Sequence, residues 1–111
     1  MSSHSDTARL ESILAYIADI DTIIQRHQSI ENALLDIEGQ YALMMCLQQI
    51  GELVNKIESE EYTSRIPVAD IVGFRNIIAH NYDGMNLHIA AAVLEKNIPE
   101  LRCIINDMLG S

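Results

Sequence analysis

Apolar residues recur at three- and four-residue intervals along nearly the whole chain. Leu10, Ile13, Leu14, Ile17, Ile20 and Ile24 fall on one side of a helix, with Asp19, Asp21 and Arg26 off that stripe. Ser5 or Asp6 suits the cap of this helix. Residues 1–5 therefore read as a short flexible tail, and the helix is expected to end near His27 and Gln28. A second helical stretch is expected from just after Ser29 to about Ser59, with Gly39 marking a break or kink. From Tyr41 to Leu47 it is apolar on every side. A helix that is hydrophobic all round must be buried all round. That is more surface than so small a bundle covers, so the run predicts a homodimer.

The segment 60–66, EEYTSRI, reads as a charged loop. Pro67 is placed to open a third helix, where its missing N–H costs nothing. Ile71, Val72, Phe74, Ile77 and Ile78 would bury that helix as it runs toward the turn pair Asp83-Gly84. A fourth helix is expected from Asn86 to Lys96 through Leu87, Ala91, Val93 and Leu94. A fifth is expected from Pro99 to Leu109-Gly110, unless the two form one helix kinked at Pro99. Strand alternation, repeats and low-complexity segments are absent. The expectation is an all-α, up-and-down bundle of four or five helices, forming a single domain over residues 6–111.

Composition agrees with helix-on-helix packing. Of the 111 residues, 49% are apolar but only 5% aromatic, and Trp is missing, so Leu, Ile, Ala, Val and Met must build the core. The net charge of −9 argues against avid, general RNA binding, because phosphate neutralisation dominates non-specific affinity. Any nucleic-acid contact has to be local. Cys46 sits in an apolar run and reads as a buried thiol; Cys46 and Cys103 show neither zinc spacing nor a disulfide framework. The polar start, MSSHSDTARLE, lacks the apolar core of a signal peptide, and no run approaches a membrane span. A cytoplasmic protein without membrane contact is expected.

The octapeptide Arg75 to Tyr82, RNIIAHNY, is the richest in chemistry. An Arg clamps phosphate oxygens with a planar fork, a His moves protons near neutral pH, and a phenol can position a substrate or be modified. The spacing resembles the RX4HXY signature of the HEPN superfamily, and most closely that of the HepT toxins. IGELVNKI (50–57), Pro67 with IVGFRN (71–76), and NIPELRCII (97–105) are similar to further HepT-like segments in the same order. One departure is that Val68, Ala69 and Asp70 follow Pro67, where many members have an aromatic residue.

The resemblance implies a small helical toxin encoded beside a MntA-type minimal nucleotidyltransferase that serves as its antitoxin. It implies a metal-independent endoribonuclease, with no cofactor, acting on cellular RNA such as tRNA. Arg75 and His80 would be catalytic: His80 would move the proton of the ribose 2′-hydroxyl, and Arg75 would stabilise the charged phosphoryl oxygens. Asn76 would orient Arg75 or the phosphate, and Tyr82 would position substrate. Glu52 matches an acidic position of the HepT-like second helix and would pair with Arg75 or shape the cleft. Tyr82 would also be the residue the partner adenylylates.

On one regular helix, residues five apart point in clearly different directions. Either the helix unwinds near His80, or two chains face each other across one cleft, as the resemblance implies. A second function class stays open at this point: a non-catalytic, substrate-binding or accessory subunit of a minimal nucleotidyltransferase, for which an acidic surface is no handicap.

Overall fold

The computed structural model describes residues 2–80 and 87–110, and among them the chain is helical without a strand. The elements are α1 (Ser2–His27), α2 (Ile30–Leu35), α3 (Ile37–Lys56), α4 (Glu60–Thr63), α5 (Val68–His80), α6 (Leu87–Ala92), a π-helical turn (Val93–Asn97) and α7 (Ile98–Gly110). No helix among the described residues is long and apolar enough to cross a membrane.

The predicted stripe of α1 is the inner face. Leu10, Ile13, Ile17 and Ile20 are buried, with Leu14 and Ile24 packed at the margin. They meet Leu43, Leu47, Ile50 and Val54 of α3, which runs through the centre with α5 on its other side. Leu94, Ile98, Leu101 and Ile105 close the core from the C-terminal arm. The all-α helical bundle expected from the sequence is the architecture found.

Helix α1 begins earlier than expected, at Ser2 rather than at Asp6. Asp6 therefore does not cap its own helix. Its buried carboxylate reaches across to the loop after α3, accepting from the backbone N–H of Glu58 (3.1 Å) and of Ser59 (2.7 Å) and from Arg9 (2.9 Å). Burial alone would raise its pKa. The two backbone N–H groups and Arg9 outweigh burial and hold it below the usual carboxylate value.

At the other end, α1 stops where expected. Gln28 takes a left-handed conformation (φ 75°), and the Ser29 hydroxyl accepts from the Asn32 N–H (3.0 Å) to start α2. The break in the second stretch falls at Asp36, not at Gly39. Asp36 ends α2 and caps α3 through the Gly39 N–H (2.9 Å), which makes Gly39 the third residue of the new helix. A glycine is needed there because a β-carbon would collide with the Ala33 carbonyl across the corner. His27 seals this junction. Its ring nitrogens face the Ile23 carbonyl (2.8 Å) and the Asp36 carboxylate (3.2 Å), and these two acceptors raise its pKa against the effect of burial.

The 60–66 segment contains one short helix, α4, inside the expected loop. Pro67 stands one residue before α5, its carbonyl accepting the first helical bond from Ile71 (3.2 Å). The fourth and fifth predicted helices form one continuous path with a π-helical turn between them. Pro99 cannot donate to the carbonyl four residues back and its ring would strike that carbonyl. The wider turn, closed by the Ile98 N–H on the Val93 carbonyl, relieves both conflicts. The Asp83-Gly84 turn lies outside the described residues.

Candidate active site

Helix α5 crosses α3 at Gly51. Arg75 lays its aliphatic stem on the α3 backbone there, and its guanidinium emerges beside the next residue, Glu52. Nη1 donates to Glu52 Oε1, and Nη2 donates to Asn76 Oδ1 at 2.8 Å. The Arg75 side chain is one-fifth exposed, at 20%, so it borders solvent while its stem stays packed. The carboxylate balances its charge locally and fixes its direction. A guanidinium carries five N–H donors. A phosphate can therefore approach the open side without displacing Glu52 and Asn76.

The structure thus brings Arg75, Asn76 and Glu52 together on the α3–α5 crossing. His80 occupies the last described position of α5, and its side chain lies outside the described residues, as does Tyr82 altogether. The α5 backbone is helical from Val68 through His80, so no unwinding separates Arg75 from His80. Five residues of continuous helix set the two positions about 140° apart around the axis. Of the two arrangements open at the sequence level, unwinding between Arg75 and His80 is not what this backbone shows.

A second feature shares the Glu52 face. Residues spaced 37, 41, 45, 48 and 52 fall within one-quarter turn or so of each other on α3. They are Ile37, Tyr41, Met45, Gln48 and Glu52. Ile37 is 63% exposed, Tyr41 50% and Met45 51%, and Leu35 at the end of α2 reaches 76%. The rest of the Tyr41–Leu47 run is less exposed: Leu43, Met44, Cys46 and Leu47 are buried in the chain's own core. The open apolar surface is therefore a narrow stripe that starts before the run and leads straight to Glu52.

A separate cavity of about 360 Å³ lies between α3, α5 and the C-terminal arm, lined among others by Leu47, Ile50, Phe74, Val93 and Ile98. Its described lining includes none of Arg75, Asn76 and Glu52, and an apolar cavity of this kind does not suit a polyanion. What sequence reasoning overlooked is the close approach of Arg75 to Gly51, and the outer stripe. A glycine in mid-helix beside an acidic residue was the available signal for the first.

The model of the ribonuclease HepT-like family matches residues 13–108, nearly the whole described core and all of the Arg75–Tyr82 motif. This chain belongs to the HepT-like family. Two relatives come from Methanocaldococcus jannaschii. One, named "Putative RNase MJ1216", is 30% identical over 109 residues, covering 93% of this chain and 89% of its own. The other, "Putative RNase MJ0125", is 30% identical over 97 residues, covering 86% and 83%. "Putative RNase TTE0752" of Caldanaerobacter subterraneus subsp. tengcongensis is 34% identical over 70 residues, covering 61% and 62%. No solved structure matches this chain. In this HepT-like protein the family's signature starts on α5, where that helix meets Gly51 and Glu52 of α3.

Proposed function

We propose that this HepT-like protein is a metal-independent endoribonuclease and the toxin of a toxin–antitoxin pair, working as a homodimer in the cytoplasm on RNA such as tRNA. The observation that carries the reading is the Arg75 guanidinium, aimed by Glu52 and Asn76 at the end of an exposed apolar stripe. A second copy seated on that stripe lies beside Glu52 and therefore beside Arg75. Its own α5 then contributes the His80 that one chain's helix turns away.

In that cleft His80 accepts the proton of a ribose 2′-hydroxyl, and the 2′-oxygen attacks the adjacent phosphorus. The bond to the 5′-oxygen of the next nucleotide breaks, and that oxygen takes up a proton, leaving a 2′,3′-cyclic phosphate and a 5′-hydroxyl. Arg75 stabilises the charge that grows on the phosphoryl oxygens. With a chain charge of −9, binding rests on a few local contacts, so affinity is modest and falls with salt.

Control comes from a MntA-type nucleotidyltransferase that transfers AMP to Tyr82. The seven-residue spacing from Arg75 to Tyr82 in the sequence is close to two full turns of an ideal helix. A phosphate-linked adenosine there places negative charge and bulk where an RNA phosphate must sit, and it can pair with Arg75.

The test is incubation of purified protein with tRNA in EDTA, followed by mapping of the ends. Wild type should leave cyclic phosphate ends, and His80→Ala and Arg75→Ala should each abolish cleavage with the helical content intact. Cleavage by His80→Ala at the wild-type rate would refute the nuclease. Incubation with the partner and ATP should add adenylyl mass to wild type and none to Tyr82→Phe; equal gains would move the modification elsewhere. The acidic charge favours a second reading, an accessory subunit of the nucleotidyltransferase. That reading expects no cleavage at any salt, and an increase in the partner's transferase activity on adding this chain.

A further inference from the structure

We propose that Gly51 is a positioning residue for Arg75, and that Gly51 and Glu52 together form a two-residue receptor for that one side chain. A β-carbon placed on Gly51 would stand 2.5 Å from Arg75 Cβ, 2.9 Å from Cγ and 3.3 Å from Cδ. These are the three nearest atoms, and all belong to the Arg75 stem. The first two separations are closer than side-chain carbons approach, and the Cβ of Arg75 is fixed to the α5 backbone. The stem or the whole of α5 must therefore move if residue 51 carries any side chain. Glu52, the next residue, takes the guanidinium. Gly51 thus sets where the stem lies and Glu52 sets where the head points.

Gly51 is buried in α3, and a glycine inside a helix is unfavourable compared with alanine. Its presence has to be explained by something other than helix formation. Gly73 is the control. It too lies inside a helix, α5, but nothing stands within 4 Å of its missing β-carbon. Alanine at 73 should therefore be neutral or favourable, and alanine at 51 should disturb Arg75.

The significance of the site rests on the proposed nuclease, so the experiment includes a readout that does not. Arginines are modified with phenylglyoxal and the products are mapped by peptide mass spectrometry in wild type, Gly51→Ala and Gly73→Ala. Arg26, exposed near the end of α1, is the internal reference. Gly51→Ala should raise the modification rate of Arg75 several-fold over that of Arg26, while Gly73→Ala leaves the ratio at the wild-type value. With tRNA as substrate, Gly51→Ala should lower kcat much more than it changes KM, because Arg75 acts on charge that develops in the transition state. An unchanged Arg75 rate in a folded Gly51→Ala protein would overturn the proposal. A raised rate in a protein that never cleaves RNA would keep the positioning role and remove the nuclease.

If Gly51→Ala fails to fold, the double variant Gly51→Ala with Arg75→Gly decides, measured beside Arg75→Gly alone. Recovery of the fold in the double variant shows that the conflict was with the Arg75 side chain. A double variant that stays unfolded while Arg75→Gly folds would make Gly51 a general packing position and overturn the proposal.

Discussion

Replacing Asp6 with Ala removes the carboxylate that ties the start of α1 to the loop between α3 and α4. Two backbone N–H groups, of Glu58 and Ser59, lose their acceptor, and Arg9 loses its ion-pair partner. The Asp6 side chain is fully buried, but the loop is only partly so, and water can reach the freed N–H groups in part. The lower end of the usual cost applies, about 1 kcal/mol for each orphaned N–H, and a similar amount for the lost bond to Arg9. The sum is about 3 kcal/mol, a large share of the 5–15 kcal/mol typical of a small domain. For a chain of this size that lowers Tm by on the order of 10 °C.

Urea denaturation followed by far-UV circular dichroism measures the difference. The pH dependence gives a second check. Because the folded pKa lies below 3.8, the stabilisation is complete above that value and is lost as pH falls through the lowered one. Asp6→Asn presents an amide to the same donors and should be destabilised at neutral pH. Its gap from wild type should narrow once the pH drops below 3.8. A difference under about 0.5 kcal/mol for Asp6→Ala, the range of ordinary surface changes, would refute the reasoning.

Two further outcomes follow from the surface. At micromolar concentration, sedimentation should give about twice the 12.4 kDa chain mass, and Met45→Glu or Ile37→Glu should yield a folded monomer. Burying a charge in place of an apolar contact should weaken association by about 100-fold or more, since each 1.4 kcal/mol is tenfold; a monomeric wild type would refute the shared cleft. In the native protein a disulfide reagent at mildly alkaline pH should titrate the exposed Cys103 but not Cys46. Burial, with the charge of Asp19 adding to it, pushes the Cys46 thiol up to about 11. Two fast native thiols would refute that burial.

The helical class, the inner stripe of α1, the Ser29 start and the Pro67 approach were legible in the sequence because each rests on local periodicity or capping. The start of α1 was misplaced because Asp6 has the right chemistry for a cap but gives it to a loop more than fifty residues away. The break near Gly39 was placed three residues late for a related reason. Asp36 supplies the cap, and Gly39 is there for the close approach of Ala33. In Tyr41–Leu47 the chain's own core covers Leu43, Met44, Cys46 and Leu47 and leaves Tyr41 and Met45 open, because only tertiary packing decides which side of an apolar helix the core covers. In the site, the pairing of Arg75 with Glu52 could be expected from matched positions. The role of Gly51 could not, because it depends on where α5 crosses α3.

The π-helical turn before Pro99 has a consequence for how the chain tolerates changes in length. Ala90, Leu94, Ile98, Leu101 and Ile105 are the buried positions of the C-terminal arm. In an ideal α-helix, the fifteen steps from Ala90 to Ile105 overshoot whole turns by about 60°. The under-wound turn at Val93–Asn97 takes up part of that excess and keeps the inner row straight along the core. Loss of a single residue inside it would let the stretch wind as a regular α-helix. Because a π-helical turn holds about one residue more than an α-helical one, Leu101 and Ile105 would stay on the inner row and Arg102 near Asp21 of α1. The cost would be the return of the clash between Pro99 and the carbonyl four residues back. An added residue would instead rotate everything after it by about 100° and turn Leu101 and Ile105 off the core. The least regular stretch of the arm thus accepts a shortening better than a lengthening, whereas a surface loop takes both.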